Sequence, residues 1–188
     1  MNQYAPESIR QLSQDQLQVR VYADRDAMGR AAAAHVVTLL QRILAAQGGA
    51  RMVFAAAPSQ NEFLAALRET PDIPWGRITA FHMDEYVGLP EGAPQRFATF
   101  LRERILDLPF ADVHYLDGNA PDLPDECERY AGLLRAAPLD IVCAGIGENG
   151  HMAFNDPHVA DFQDPAWVKP VTLDEVCRQQ QVNDGAFA

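Results

Sequence analysis

The tightest constraint in this chain is the near-continuous apolar run at residues 139–146, Leu-Asp-Ile-Val-Cys-Ala-Gly-Ile. A run of this kind reads as a strand covered on both faces, the usual lot of a central strand in a parallel sheet. Parallel strands need crossover connections, so helices must alternate with strands upstream. The sequence supplies them. Residues 18–22 alternate polar and apolar and predict a half-buried strand. Asp24 is placed to cap a long alanine-rich helix that stops at Gly48-Gly49. Residues 51–57 read as a short buried strand, and Ser59 or Gln60 opens a helix through Glu69. A strand at 77–83 follows, then an amphipathic helix at 94–106 with Pro94 near its start. A short strand at 113–116 and a helix at 124–136 complete the series.

This rhythm predicts an α/β fold: an open, doubly wound, mostly parallel sheet with helices on both faces, Rossmann-like, as one domain over 1–188. Ligands of such sheets bind where loops leave the carboxyl ends of the strands. The segments 56–60, 82–90 and 145–157 hold that position, and all three carry polar or turn-forming residues.

Composition narrows the function classes. Of 188 residues, 48% are hydrophobic and 22% charged, as in an ordinary globule, and a net charge of −11 argues against nucleic acid as a partner. It leaves room for a small phosphorylated ligand held by backbone N–H groups at a helix start. No apolar run approaches the roughly 20 residues that cross a bilayer, so no membrane role is expected. Three cysteines without CxxC spacing suggest a reducing compartment and a cytoplasmic location, with neither a disulfide framework nor a zinc site.

Gly145-Ile146-Gly147-Glu148-Asn149-Gly150 fits the dinucleotide pattern G-x-G-x-x-G in the wrong context. It follows a late strand and runs into a loop ending at Pro157, instead of opening a helix after a first strand. Its glycines suit a sharp turn and close approach to a ligand. His151 follows directly, with Glu148, Asn149 and Asp156 as acceptors able to fix one tautomer, as a proton-transferring imidazole requires. A metal held by His151, Asp156 and His158 matches no standard zinc spacing. Asp84 and Glu85 end a strand, where neighbouring side chains point to opposite faces. One carboxylate is therefore expected to face a substrate, and the other to bond backbone or pack into the sheet edge.

Phe81-His82-Met83-Asp84-Glu85-Tyr86-Val87-Gly88-Leu89-Pro90 and Gly145-Ile146-Gly147-Glu148-Asn149-Gly150-His151-Met152-Ala153-Phe154-Asn155-Asp156-Pro157 resemble the two motifs of glucosamine-6-phosphate deaminases/isomerases, in order and at similar separation. The resemblance implies aldose–ketose isomerisation of a hexose 6-phosphate, with deamination of glucosamine-6-phosphate to fructose-6-phosphate and ammonia. It casts Asp84 as the carboxylate that moves a proton between C2 and C1. His151 becomes the acid/base that opens the sugar ring, with Asn149, Asp156 and Glu85 in support. Ser59, Gln60, Gly147 and Gly150 would contact the substrate. Neither step calls for a metal or organic cofactor. A homo-oligomer is a further expectation, since relatives often assemble.

The chain departs from the family pattern at four places. Asn149 stands where an acid is usual, and Asp156 where a glutamate is usual. The phosphate loop reads Ala55-Ala56-Ala57-Pro58-Ser59-Gln60-Asn61 without the family's glycines, and its basic partners, with Lys169 and Arg178 as candidates, are unmatched. The chain is also short, which implies that the C-terminal part of the family fold lies outside it. Two alternatives share the scaffold: a 6-phosphogluconolactonase, whose loops typically read Asp-Glu-Arg and Thr-Ala-Ser-Leu-Phe-Pro, and a sugar-phosphate sensor without catalysis.

Overall fold

The structure, a computed structural model, describes residues 5–187. Four parallel strands make the sheet: β3 (Ala50–Phe54), β4 (Ile78–His82), β5 (Asp112–His114) and β6 (Ile141–Cys143), in the order β5-β4-β3-β6. Helix α1 (Arg25–Gln47) starts at Asp24, whose side chain accepts from the Ala27 N–H, and ends at Gly48 in the left-handed conformation. Helix α2 (Asn61–Glu69) follows a single 3₁₀ turn at Pro58–Gln60. Helix α3 (Phe97–Leu101) runs on into a π-helical turn, Arg102–Leu106. Helix α4 (Leu123–Arg135) is capped by Asp122, which accepts from Asp125 N–H.

Side-chain alternation along the strands divides the core. Met52, Phe54, Ile78 and Ala80 pack with Leu40, Leu64, Leu67 and Leu101 from α1, α2 and α3. Val53 and Phe81 point the other way, onto Tyr130 and Leu134 of α4. The helices therefore cover both faces of the sheet, as the alternating pattern requires.

Several expectations need correction. The strand expected at 18–22 is β2 (Leu17–Val21), but it pairs antiparallel with an unforeseen β1 (Arg10–Gln14) in a separate, largely exposed hairpin. Its alternation marked a strand correctly and its burial wrongly. The apolar run at 139–146 forms only the three-residue β6, at the edge of the described sheet, with Val142 56% exposed. Asp140 accepts from Arg51 N–H at 2.8 Å and Gln47 Nε2 at 2.9 Å, which sets the strand's entry. The segment 94–106 becomes helical only from Phe97. Helix α5 (Glu175–Asn183), capped by Asp174, was not foreseen at all.

Candidate active site

The chain runs β3, β4, β5 outward and then returns to place β6 on the opposite side of β3. Strand order reverses there, so the loops leaving β3 and β6 diverge and open a crevice at their carboxyl ends. A cavity of about 310 Å³ occupies it, lined by Ser59 after β3, Asp84 after β4 and His151 after β6. Phe154 and residues Gln180 and Gln181 of α5 close its sides.

Asp84 and Glu85 separate as the alternation at a strand end demands. Asp84 faces the cavity, and its carboxyl is pushed up to about 7, chiefly by burial and then by the charge of Glu85. Glu85 turns away from this cavity. Its carboxylate accepts from the N–H groups of Phe97 and Ala98 at 3.0 Å each, capping α3, and from its neighbour Tyr86 at 2.9 Å. Expected among the catalytic residues, Glu85 instead satisfies backbone donors that a helix start leaves open.

His151 sits in a loop closed by bonds from Gly147 N–H to His151 O and from Gly150 N–H to Gly147 O. Gly147 carries no side chain because a Cβ there would clash with Cε1, Nε2 and Nδ1 of the imidazole ring. Gly150 has φ +88° and borders a different groove, so its expected place against substrate is replaced by a role in the turn. Asn149 Oδ1 lies 2.7 Å from His151 Nδ1 and also accepts the His151 N–H at 3.1 Å. Asp156 Oδ1 is 3.1 Å from the same ring nitrogen. Two acceptors at Nδ1 require it to carry the proton, which leaves Nε2 as the nitrogen for exchange with a bound molecule.

Asp156 is fully buried and fully engaged. Asn149 Nδ2 donates to its Oδ1 at 2.9 Å, and the Asp174 N–H to its Oδ2 at 2.8 Å. Burial works to raise its pKa, but Asn149, the Asp174 N–H, the charge of His151 and the Cys177 thiol outweigh it together. The net result is a carboxyl below its ordinary range. The shorter side chain thus reaches the imidazole, and Asn149 bridges Asp156 and Asp174 rather than supplying charge itself. Glu148 is exposed and offers only its N–H, to Gln180.

Ser59 lines the cavity, whereas Gln60 is buried beside it, donating to Ser59 Oγ at 3.2 Å. The lining holds no Lys or Arg among the described residues. Lys169 bonds Asp164 and the Val159 carbonyl, and Arg178 is exposed on α5. Possible metal ligands cluster twice around Asp156, with His151 and Cys177, and with His158 and Asp174. Hydrogen bonds account for both groupings: N–H donors hold the Asp156 oxygens, and His158 Nε2 is 2.9 Å from Thr172 O.

Helix α5 is the part of the site that sequence reasoning missed. Tyr86 Oη donates to Gln181 Oε1 at 2.6 Å, and Asp174 caps the helix through the Cys177 N–H at 2.7 Å. The signal was present in Leu173-Asp174-Glu175, an acidic N-cap followed by an acid in the first turn.

Comparison with known proteins places these features in a family. A model described as glucosamine-6-phosphate isomerases/6-phosphogluconolactonase matches residues 23–179. A glucosamine-6-phosphate deaminase of Bacillus thuringiensis (strain Al Hakam) is 34% identical over 142 residues, 75% of this chain and 53% of that protein. One from Bacillus cereus (strain G9842) matches equally. The chain thus spans about half the length of the curated relatives it matches. Among solved structures, a monomeric glucosamine-6-phosphate deaminase superposes with a TM-score of 0.75 at 26% identity, over 85% of this chain and 66% of that one. A 6-phosphogluconolactonase from Thermotoga maritima gives 0.58 at 25% identity, over 64% and 56%.

Proposed function

Because the chain belongs to the family of glucosamine-6-phosphate isomerases and 6-phosphogluconolactonases, we propose that it isomerises a hexose 6-phosphate, with glucosamine-6-phosphate converted to fructose-6-phosphate and ammonia. The observation that carries this reading is the pairing, on one cavity, of a carboxyl poised near neutrality and an imidazole backed by a buried carboxylate. Relatives that bear the name glucosamine-6-phosphate deaminase support it.

The roles follow from proton chemistry. His151 Nε2 exchanges a proton with the ring oxygen and opens the pyranose, while Asp156 balances the imidazolium that forms. Asp84 takes the proton from C2, giving an enolamine, and returns it to C1. Water then adds to the resulting imine at C2, and ammonia leaves. A base whose proton affinity lies near the working pH can both accept and return that proton. The phosphate would meet Ser59 and the N–H groups that open the following helix. No step uses a metal or organic cofactor.

A second reading has the 6-phosphogluconolactonases of the same fold behind it. There His151 would activate water against a lactone carbonyl, and no C–H bond would break, so Asp84 would move no proton at carbon. Incubation with glucosamine-6-phosphate, other hexose 6-phosphates and 6-phosphogluconolactone in D₂O distinguishes the two. Deuterium at C1 or C2 with ammonia release is the expected outcome. Lactone hydrolysis without exchange would transfer the assignment, and tight binding without either reaction would make the protein a sensor.

A further inference from the structure

Glu85, next to Asp84 in the chain, forms with Arg96 a pair of buried opposite charges that neither proposed proton transfer uses. Arg96 stands just before α3, with its side chain 12% exposed and its Nε without a hydrogen-bond partner among the described residues. Its nearest carboxylate oxygen is Glu85 Oε2, at 3.7 Å, and the Glu85 side chain is only 2% exposed. That distance is too long for a hydrogen bond and short enough for an ionic interaction. A buried guanidinium with an unsatisfied donor is expensive for the fold unless its charge is offset locally. Here Glu85 is that offset, while its own oxygens are committed to three backbone N–H groups.

We propose that Arg96 is a positioning residue for Asp84, acting through Glu85: it holds the Glu85 carboxylate against the start of α3 and offsets its charge next to the carboxylate that faces the cavity. The inference rests on Asp84 as the base. Among the described residues, the charge of Glu85 acts on the Asp84 carboxyl, after burial, to raise its proton affinity. Arg96 limits that effect. The other titratable groups around Asp84 are accounted for. His82 on β4 is held neutral, chiefly by burial and secondarily by the charge of Arg96, with its pKa down to about 3. The phenols of Tyr86 and of Tyr130 on α4 are raised by burial first and stay protonated. His151 and, from the end of α5, Asp184 face the same cavity.

The test is an NMR titration of the Asp84 side-chain carboxyl in ¹³C-aspartate-labelled protein, assigned with Asp84→Asn. In Arg96→Gln the Glu85 charge is unopposed, and the Asp84 midpoint should rise by about one pH unit. Arg96→Lys should restore a value near the parent, and Glu85→Gln should lower it. A loss of packing alone would not move the two variants in opposite directions. An unchanged or lowered midpoint in Arg96→Gln overturns the proposal. Should that variant not fold, an unchanged midpoint in Glu85→Gln overturns it equally. These shifts need no substrate. Wild-type protein that titrates as stated but exchanges no proton with any hexose 6-phosphate counts against the proposed function, not against the pairing.

Discussion

Asp156 Oδ1 lies 3.1 Å from His151 Nδ1, and Asp156 has no exposure to solvent. Asp156→Asn removes the charge opposite the imidazole while keeping the shape. Turnover should fall by about 10²–10⁴-fold, the range typical for loss of a general acid/base. Steady-state rates with a ring-closed and an open-chain substrate locate the loss: it should be confined to the ring-closed form. An equal loss with both would remove His151 and Asp156 from ring opening.

Keeping the Asp84 carboxyl buried beside the cavity costs the fold stability. Its carboxyl binds a proton more tightly in the folded protein than in the unfolded chain, so the folded state carries more protons between the unfolded value near 4 and the folded value of about 7. Stability therefore declines as pH rises through that window. Asp84→Asn should abolish C–H exchange and yet raise stability at pH 8 by about 2 kcal/mol, allowing for solvent reaching the carboxyl through the cavity mouth. At pH 4 the gain should vanish. Urea unfolding at the two pH values measures both.

In the proposed reaction the same group sets the pH dependence of the rate. A base must be ionised, so kcat/KM should rise tenfold per pH unit below about 7 and flatten above it. A profile already flat at pH 5 would mean that Asp84 is not the base.

Two glycines of one loop should respond differently. Gly147→Ala drives a methyl against the His151 ring, so activity should drop sharply while the fold survives. Gly150→Ala meets no neighbour but forces φ +88° on a side chain, costing about 1 kcal/mol of stability. Thermal melts paired with activity assays separate the two.

Tyr86→Phe removes the 2.6 Å bond to Gln181 and loosens α5 from the cavity wall. Amide exchange across residues 175–183 should accelerate, while the Tyr86 ring, 5.2 Å from Phe154, stays packed. Unchanged exchange would show that the helix is held by its Asp174 cap and the Asn149 bridge alone.

Local chemistry wrote much of this molecule legibly. Asp24 and Gly48 announced the ends of α1, and the strand–helix alternation announced a parallel sheet with both faces covered. Opposed side chains at a strand end separated Asp84 from Glu85, and the paired motifs pointed to the family. Contacts between distant segments carried the rest, and no window of sequence contains them. Whether an apolar run lies inside a sheet or at its edge depends on which strands flank it, and among the described residues β6 is flanked on one side only. Whether Asp156 reaches His151 depends on how Asn149 and Asp174 draw the loop and α5 together. The chain by itself determined which residues can carry protons; only tertiary structure decided which carboxylate faces the cavity, which caps a helix and which stands behind the imidazole, because burial and opposing charge are properties of the assembled neighbours.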